Sequence, residues 1–505
     1  METPIVRRSH FGCTRCKRRR QKCDEKRPSC GRCDDAKEEC TYTLTLRWGG
    51  RASRRSKVIA ETAPSTPKPA VKEPLREAES LAIVASKHTT PTQSSLTAQI
   101  EPLSFLSSST RFSLHYFIHR ASHATSSHPR IQERICGMIV PMALETPSLL
   151  YATIALSELH RSSLLDDFPK NFDQPGGMIS RSLALSLQNL QSDLTQGRKS
   201  NGYATLTTIR TLCIFEIHSG KAAPDSWRAH MEGAKALLTA TRNMYGNQAI
   251  DESDPQWLIE RWFASIESFT ALTERGLLKG QLETFGSQSR IRSPTTDDQY
   301  LDVYSAYTGT LNAAFKEIGA AAWERRRLNT SDEESKLLTQ HDLDLEATSL
   351  ESSVRSMIGR SKFHPDVQTF LTAAEMEQFK ASDEAYQYTA LIHVQRRVHL
   401  LPRSSAEVQD TVKKIIQCVK KISPAPGLSP WVMATTPLFA AGREALGDDR
   451  NIVRDLLLTL YASIRIRNVK RCLDILELIW KTDSDSGEKD LDNLLCENSW
   501  DFIPY

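Results

Sequence analysis

Six cysteines, Cys13, Cys16, Cys23, Cys30, Cys33 and Cys40, crowd the first forty residues of a chain of 505 residues that holds 11 cysteines in all. Their intervals repeat one motif, CxxCx6C, twice, with six residues between the copies. Thiolates at such spacing are the donor set of a structural zinc site, which takes four ligands in a tetrahedron with Zn–S near ~2.3 Å. Two zinc ions need eight ligand places, and six thiolates fill them if two thiolates each bridge both metals. The pseudo-symmetry of the repeat puts one bridge in each half, at Cys13 and Cys30. A single four-cysteine site is the alternative, and it leaves a cysteine of at least one repeat without a role. A set of disulfides is the third: the opening METPIVRRSHFG lacks the apolar run of a signal peptide, so the chain reads as intracellular, where thiols stay reduced.

The ligand intervals differ in charge. After the first CxxC come KRRRQK, five positive charges; after the second come DDAKEE, a net of three negative ones. A duplex phosphate backbone attracts the first and repels the second, so one face alone is expected to approach nucleic acid. The asymmetry extends outward: residues 1 to 58 carry 17 Lys and Arg against 7 Asp and Glu, and the remainder carries 48 against 54. A net charge of +4 therefore conceals a basic end joined to a mildly acidic body. KRRRQK is also readable by nuclear import receptors.

Here the segment from Cys13 to Cys40 resembles the fungal zinc binuclear cluster transcription factors, whose motif is CxxCx6Cx6CxxCx6C with a basic first interval. Asp24 and Pro28 match as well. The resemblance implies a pair of short helices around two zincs, with Cys13 and Cys30 bridging and the end of the first helix in the major groove over a CGG-like triplet. Residues Arg19 and Arg20 are then expected on bases, and Lys17, Arg18, Lys22 and Arg32 on phosphates. Arg20 stands where the family usually has lysine, and Gln21 where an aliphatic residue is common.

What must carry this module is read from the rest of the chain. Arg7 and Arg8 lie in a polar tail, 1 to 12; the cluster spans 13 to 42. From 43 to 102 the composition is basic and then rich in Pro, Ser and Thr, too polar to bury a core, which predicts a linker. Sustained apolar heptads are absent there, so no coiled coil is expected. From 103 to 505 the apolar residues recur at three and four: Leu149, Ala152, Leu156 and Leu159; Leu206, Ile209, Cys213 and Ile217; Leu457, Leu460, Tyr461 and Ile464. Long helical stretches are expected at 178 to 195, 225 to 243, 256 to 274, 367 to 401 and 450 to 480, with little strand. The fold class is thus a small zinc-stabilised module of two short helices followed by a large all-α domain of stacked helices. That body resembles the fungal-specific regulatory domain, in LHYFIHRAS (114 to 122), SLLYATIALSELHR (148 to 161), SWRAHMEGAKALL (226 to 238), TTPLFAAGREALGDDR (435 to 450) and RNVKRCLDILELIW (467 to 480).

No enzyme is expected. His230 and Glu232 beside Trp227 have no nucleophile, phosphate loop or HExxH helix with them, and a spacing of two puts them on different sides of a helix. The scattered Cys136, Cys213, Cys418, Cys472 and Cys496 read as small core residues. The tail EKDLDNLLCENSWDFIPY reads as a helix docking Leu491, Leu494, Leu495, Trp500 and Phe502 onto the body, with an activation segment as the alternative. Together these expectations describe a nuclear, sequence-specific regulator of RNA polymerase II transcription, with double-stranded DNA as partner, two zinc ions and no membrane. A homodimer and a coactivator or corepressor are further candidate partners. The competing reading is a zinc-stabilised protein-interaction module that does not read DNA.

Overall fold

A computed structural model of the chain describes residues 15, 16, 19, 21, 23, 24, 26, 29–38 and 40 of the cysteine segment. Of the remainder it describes 103, 106–165, 177–195, 202–221, 226–245, 255–273, 276, 296–330, 340–486 and 501–505. The chain divides into two compact units, Met1–Pro102 and Leu103–Tyr505.

The second unit is helical, as the periodicities predict. In order it contains α2 (Ser108–Tyr116), α3 (Pro129–Glu145), α4 (Pro147–Ser162), α5 (Met178–Thr195), α6 (Gly202–His218), α7 (Ser226–Tyr245) and α8 (Pro255–Leu272). There follow α9 (Leu311–Thr330), α10 (Gln340–Met357), α11 (Pro365–Gln368), α12 (Ala373–His393), α13 (Ala406–Lys420), α14 (Thr435–Glu444), α15 (Asp448–Ile464) and α16 (Arg467–Ser486). The helix α1 of the first unit, Gly31–Asp35, belongs to the cluster. Sequence neighbours stack: α4 on α5, α6 on α7, α8 on α9, α12 on α13, and α14 on α15 and α16. Strand is confined, among the described residues, to the antiparallel pair β1 (Leu301–Asp302) and β2 (Tyr307–Thr308), in register Leu301↔Thr308. Two residues per strand are too few to show an alternation in the sequence.

Helix boundaries follow local chemistry. Prolines open α3 and α4 at their first turns, where the missing N–H has no partner to lose. The stretch expected to be helical from 367 starts instead at Ala373, because Thr372 and Glu375 form a capping box: Thr372 Oγ1 accepts from Glu375 N, and Glu375 Oε2 accepts from Thr372 N at 2.8 Å. The stretch 450 to 480 is two helices and not one. Arg465 ends α15 in the left-handed region, φ 53°, and donates its N–H to the Tyr461 carbonyl. No glycine marks that break.

Two hydrophobic clusters form the interior. One gathers α3 to α10 with one face of α12; the other gathers α13 to α16 with the opposite face of α12. Accordingly α12 offers Phe379, Tyr386 and Leu391 to the first and Ala381, Ala385 and Ile392 to the second, so it buries apolar residues on two faces while Glu377 and Lys380 pair at the surface. Long-range polar contacts fasten the halves. His160 Nε2 donates to the Ile464 carbonyl at 3.0 Å across 304 residues. Tyr386 donates to the Met433 carbonyl at 2.8 Å. Gly427, with φ +133°, lies so close to the His123 carbonyl that a Cβ would collide with it, and Leu428 N donates to that same oxygen at 3.1 Å.

Residues 501–505 form neither helix nor strand, and they are wedged between the clusters. Ile503 joins one and Phe502 the other, with Phe502 against Phe439 at 5.5 Å. Trp227 Nε1 donates to the Asp501 carbonyl at 3.1 Å, and Arg228 Nε pairs with Asp501 Oδ2 at 2.5 Å, both side chains being buried. Asn468 Nδ2 donates to the carbonyls of Ile503 and Tyr505. The expected dockings of Leu491, Leu494, Leu495 and Trp500 lie outside the described residues. Trp227 and His230 are buried while Glu232 is exposed, so the trio packs a helix and does not assemble a base. Cys213, Cys418 and Cys472 are buried, Cys136 is half-buried, and Cys496 is outside the described residues.

Burial holds His218 down at about 3 and His230 at about 4, below the ordinary histidine value. A group whose folded pKa is lowered takes its proton more readily in the unfolded chain, so this stability is present at neutral pH. It is lost as pH falls from about 6.5 through these folded values, each histidine steepening the loss by at most ~1.4 kcal/mol per pH unit. Urea midpoints measured at pH 7 and pH 5 are expected to drop on acidification. The drop should be smaller in His218→Gln and His230→Gln, and an unchanged drop in both assigns the acid lability elsewhere.

Candidate metal centre and nucleic-acid interface

Five of the six clustered cysteines are described, and their sulfur atoms converge. Cys16, Cys23 and Cys30 form one group and Cys30, Cys33 and Cys40 a second, with the sulfurs of each group within 4.8 Å of one another. Cys30 belongs to both. Cys16 Sγ and Cys30 Sγ are 3.8 Å apart, far beyond the ~2.05 Å of a disulfide and equal to the edge of a tetrahedron whose centre-to-sulfur distance is ~2.3 Å. Cys16, Cys23, Cys30 and Cys33 are each at most 3% exposed. Buried thiols with no apolar core around them are what zinc would hold together; the ion would supply the cross-links that so short a segment cannot draw from hydrophobic burial. Cys13 lies outside the described residues.

The backbone presents these sulfurs through two local turns. Arg15 and Cys16 are helical, and the turn continues with Arg19 N donating to the Arg15 carbonyl at 3.0 Å and Gln21 N to the Cys16 carbonyl at 2.9 Å. In the second half Cys30 is the residue before α1, and its own side chain does not cap the helix. Asp24 does so from a distance, accepting the Gly31 N–H at 3.1 Å. Cys30 N in turn donates to Cys40 Sγ at 3.3 Å, a bond that favours the thiolate form a metal requires.

Arg15 is the residue that spacing arguments missed. Its side chain is 10% exposed; Nε donates to Glu38 Oε2 at 3.0 Å and Nη1 to the Arg32 carbonyl at 3.2 Å. The first half is thereby tied to the second, and the acidic interval serves as more than a repelling face. The only hint in the sequence was one positive residue inside the first CxxC and the acids in DDAKEE. Of the expected DNA contacts, Arg19 and Arg32 are described and exposed. Arg19 Nη2 stands 3.8 Å from Glu38 Oε1 with both side chains about half-exposed, a link weak enough to be exchanged for a phosphate or base. Lys17, Arg18, Arg20 and Lys22 lie outside the described residues. Gln21, in place of an aliphatic residue, is exposed, so its side chain leaves no gap in a core.

Residues 11–49 match the family model of the fungal Zn(2)-Cys(6) binuclear cluster domain, and residues 112–504 match that of the fungal specific transcription factor domain. The chain belongs to the fungal Zn(2)-Cys(6) transcription factors. It is therefore a DNA-binding transcription regulator whose cluster takes two zinc ions, in a family of regulators rather than of catalysts. Among its relatives, Pestheic acid cluster transcriptional regulator 3 of Pestalotiopsis fici is 23% identical over 95% of each chain. Sterol uptake control protein 2 of Saccharomyces cerevisiae is 43% identical over 56 residues, which are 11% of this chain and 6% of that protein. No solved structure matches the chain. Among the described residues of this Zn(2)-Cys(6) factor, no helix is long and apolar enough to cross a membrane.

Proposed function

We propose that this Zn(2)-Cys(6) factor is a nuclear regulator of RNA polymerase II transcription that reads a CGG-like triplet through its cluster. The observation that carries the reading is the place of Cys30 in both sulfur groups, next to an interval with five positive charges. Each group holds three thiolates, and one more thiolate common to both completes two tetrahedra; Cys13 is the sixth cysteine and takes that place. The ligand set is then Cys13, Cys16, Cys23, Cys30, Cys33 and Cys40, with Cys13 and Cys30 bridging. The division into a tail (1 to 12), a cluster (13 to 42), a linker (43 to 102) and a regulatory domain (103 to 505) assigns DNA reading to one end and control to the other. Homodimerisation and a coactivator or corepressor fall to the helical domain, since the linker offers no heptads. A relative of matching length that is itself named a cluster transcriptional regulator supports regulation as the task of the whole chain.

Base and phosphate contacts separate in a binding array. Arg19 and Arg20 are assigned to bases, where an arginine fork on guanine O6 and N7 is worth ~1 to 3 kcal/mol of discrimination. Lys17, Arg18, Lys22 and Arg32 are assigned to phosphates. Arg20→Ala is expected to flatten the preference for the triplet. Lys22→Ala should weaken all duplexes alike and lower the salt slope by about one. The opposite pattern would reverse the assignment, and two bound zincs with no sequence preference in the wild type would favour the protein-interaction module.

A further inference from the structure

The helix α6 is buried on nearly every face, and Arg210 stands in the middle of it at 6% exposure. Thr207, Thr208 and Thr211 return their hydroxyls to the helix's own carbonyls, but the guanidinium has no such outlet. Nη2 reaches the Tyr304 hydroxyl at 3.3 Å, and Nε has no hydrogen-bond partner. No carboxylate pairs with it among the described residues. The other buried arginines are provided for: Arg228 by Asp501, Arg325 by Asp344, Arg403 by Glu444, and Arg397 by the carbonyls of Leu272 and Thr273. A charge withdrawn from water without a counter-ion is costly, which is why buried charges are found paired.

Arg210 also lines a cavity of about 40 Å3, room for on the order of three water molecules. The lining mixes polar residues, Tyr304, Thr435 and Tyr505 among them, with apolar ones such as Ile214 and Ile464. The lining comes from both hydrophobic clusters, so whatever fills the cavity touches both halves of the domain.

We infer that this cavity binds a short-chain carboxylate, its charge against the Arg210 guanidinium and its carbon chain against Ile214 and Ile464. Arg161 holds Glu158 in this same domain with Nε at 3.0 Å and Nη2 at 2.6 Å, both on the one oxygen Oε2. A planar carboxylate matches the fork in two parallel bonds. The Tyr304 hydroxyl, which accepts from Nη2, keeps its own proton to donate. Phosphate has the charge but would set hydrated oxygens against Ile214 and Ile464, where nothing can bond them. Buried His218, held neutral at about 3, adds no second cation to the lining. The site gives the helical domain a chemical input that is independent of DNA reading.

The test uses the full-length, zinc-loaded chain, with acetate and propionate titrated against chloride and phosphate at constant ionic strength. Thermal unfolding is expected to show a saturable rise on the order of 2 °C with a carboxylate, and none with chloride or phosphate. The rise should vanish in Arg210→Gln and Arg210→Met. No carboxylate response in the wild type, an equal response to phosphate, or a response that survives both substitutions overturns the site. If neither Arg210 variant folds, Tyr304→Phe decides by calorimetry: carboxylate affinity several-fold weaker supports the site, and unchanged affinity overturns it.

Discussion

Cys30→Ser is expected to empty the cluster of both zinc ions at once and to reduce binding to the specific duplex by at least ~100-fold, down to the non-specific level. Cys30 is the described thiol shared by both sulfur groups, so under the proposed ligand set its loss leaves each tetrahedron one ligand short. Structural zinc supplies ~10–16 kcal/mol to small cysteine modules at neutral pH, more than this segment could replace from other sources. Cys23→Ser and Cys40→Ser each remove a ligand from one group alone, and their metal content is expected to fall first by one ion. Zinc release measured with a chromogenic chelator, beside a gel shift on CGG-containing duplex, separates the cases. A Cys30→Ser chain that keeps one tightly bound zinc while Cys23→Ser loses two would end the bridging assignment.

The cysteine repeat was legible because metal ligation is written in residue type and short spacing, and nothing distant has to be known. Arg15 was not: its partner Glu38 lies 23 residues away, and only the folded turn brings them together. In the helical unit the same division holds. The rows Leu149, Ala152, Leu156 and Leu159 and Leu206, Ile209, Cys213 and Ile217 are buried as their period requires. The start of α12 was readable in Thr372-x-x-Glu375, but apolar residues before it masked the cap. The break at Arg465 carries no local mark, since it is stabilised by tertiary contacts such as that from Ser163 Oγ to the Arg465 carbonyl at 2.5 Å. Residues 501–505 carry the apolar content of a docking helix yet form an irregular wedge, because their backbone carbonyls are taken by Trp227, Asn468 and Thr436.

That wedge carries the second large effect. Asp501→Ala should destabilise the helical unit by ~3–5 kcal/mol, because it leaves the Arg228 guanidinium buried without its anion. Residual bonds from Arg228 to the Gly276 carbonyl at 3.1 Å and to Thr273 Oγ1 at 2.8 Å soften the loss but supply no charge. Replacing both partners, as Arg228→Met with Asp501→Leu, should restore most of it, since a buried ion pair exchanged for apolar side chains is often near neutral. Denaturant unfolding of the four chains gives the coupling directly. A drop below ~1 kcal/mol in Asp501→Ala would mean that water reaches Arg228 and that the segment is not wedged.

The contact between His160 and the Ile464 carbonyl spans 304 residues, and that distance sets a clock on biosynthesis. At roughly 5–20 residues per second, a ribosome needs on the order of 15–60 s to bring out the second partner after the first. For most of that interval the apolar faces of α4 and α6 are complete in covalent terms while part of their packing has yet to emerge. The newborn chain thus carries uncovered apolar faces until its last helices arrive, whereas all six cysteines of the cluster lie within its first forty residues.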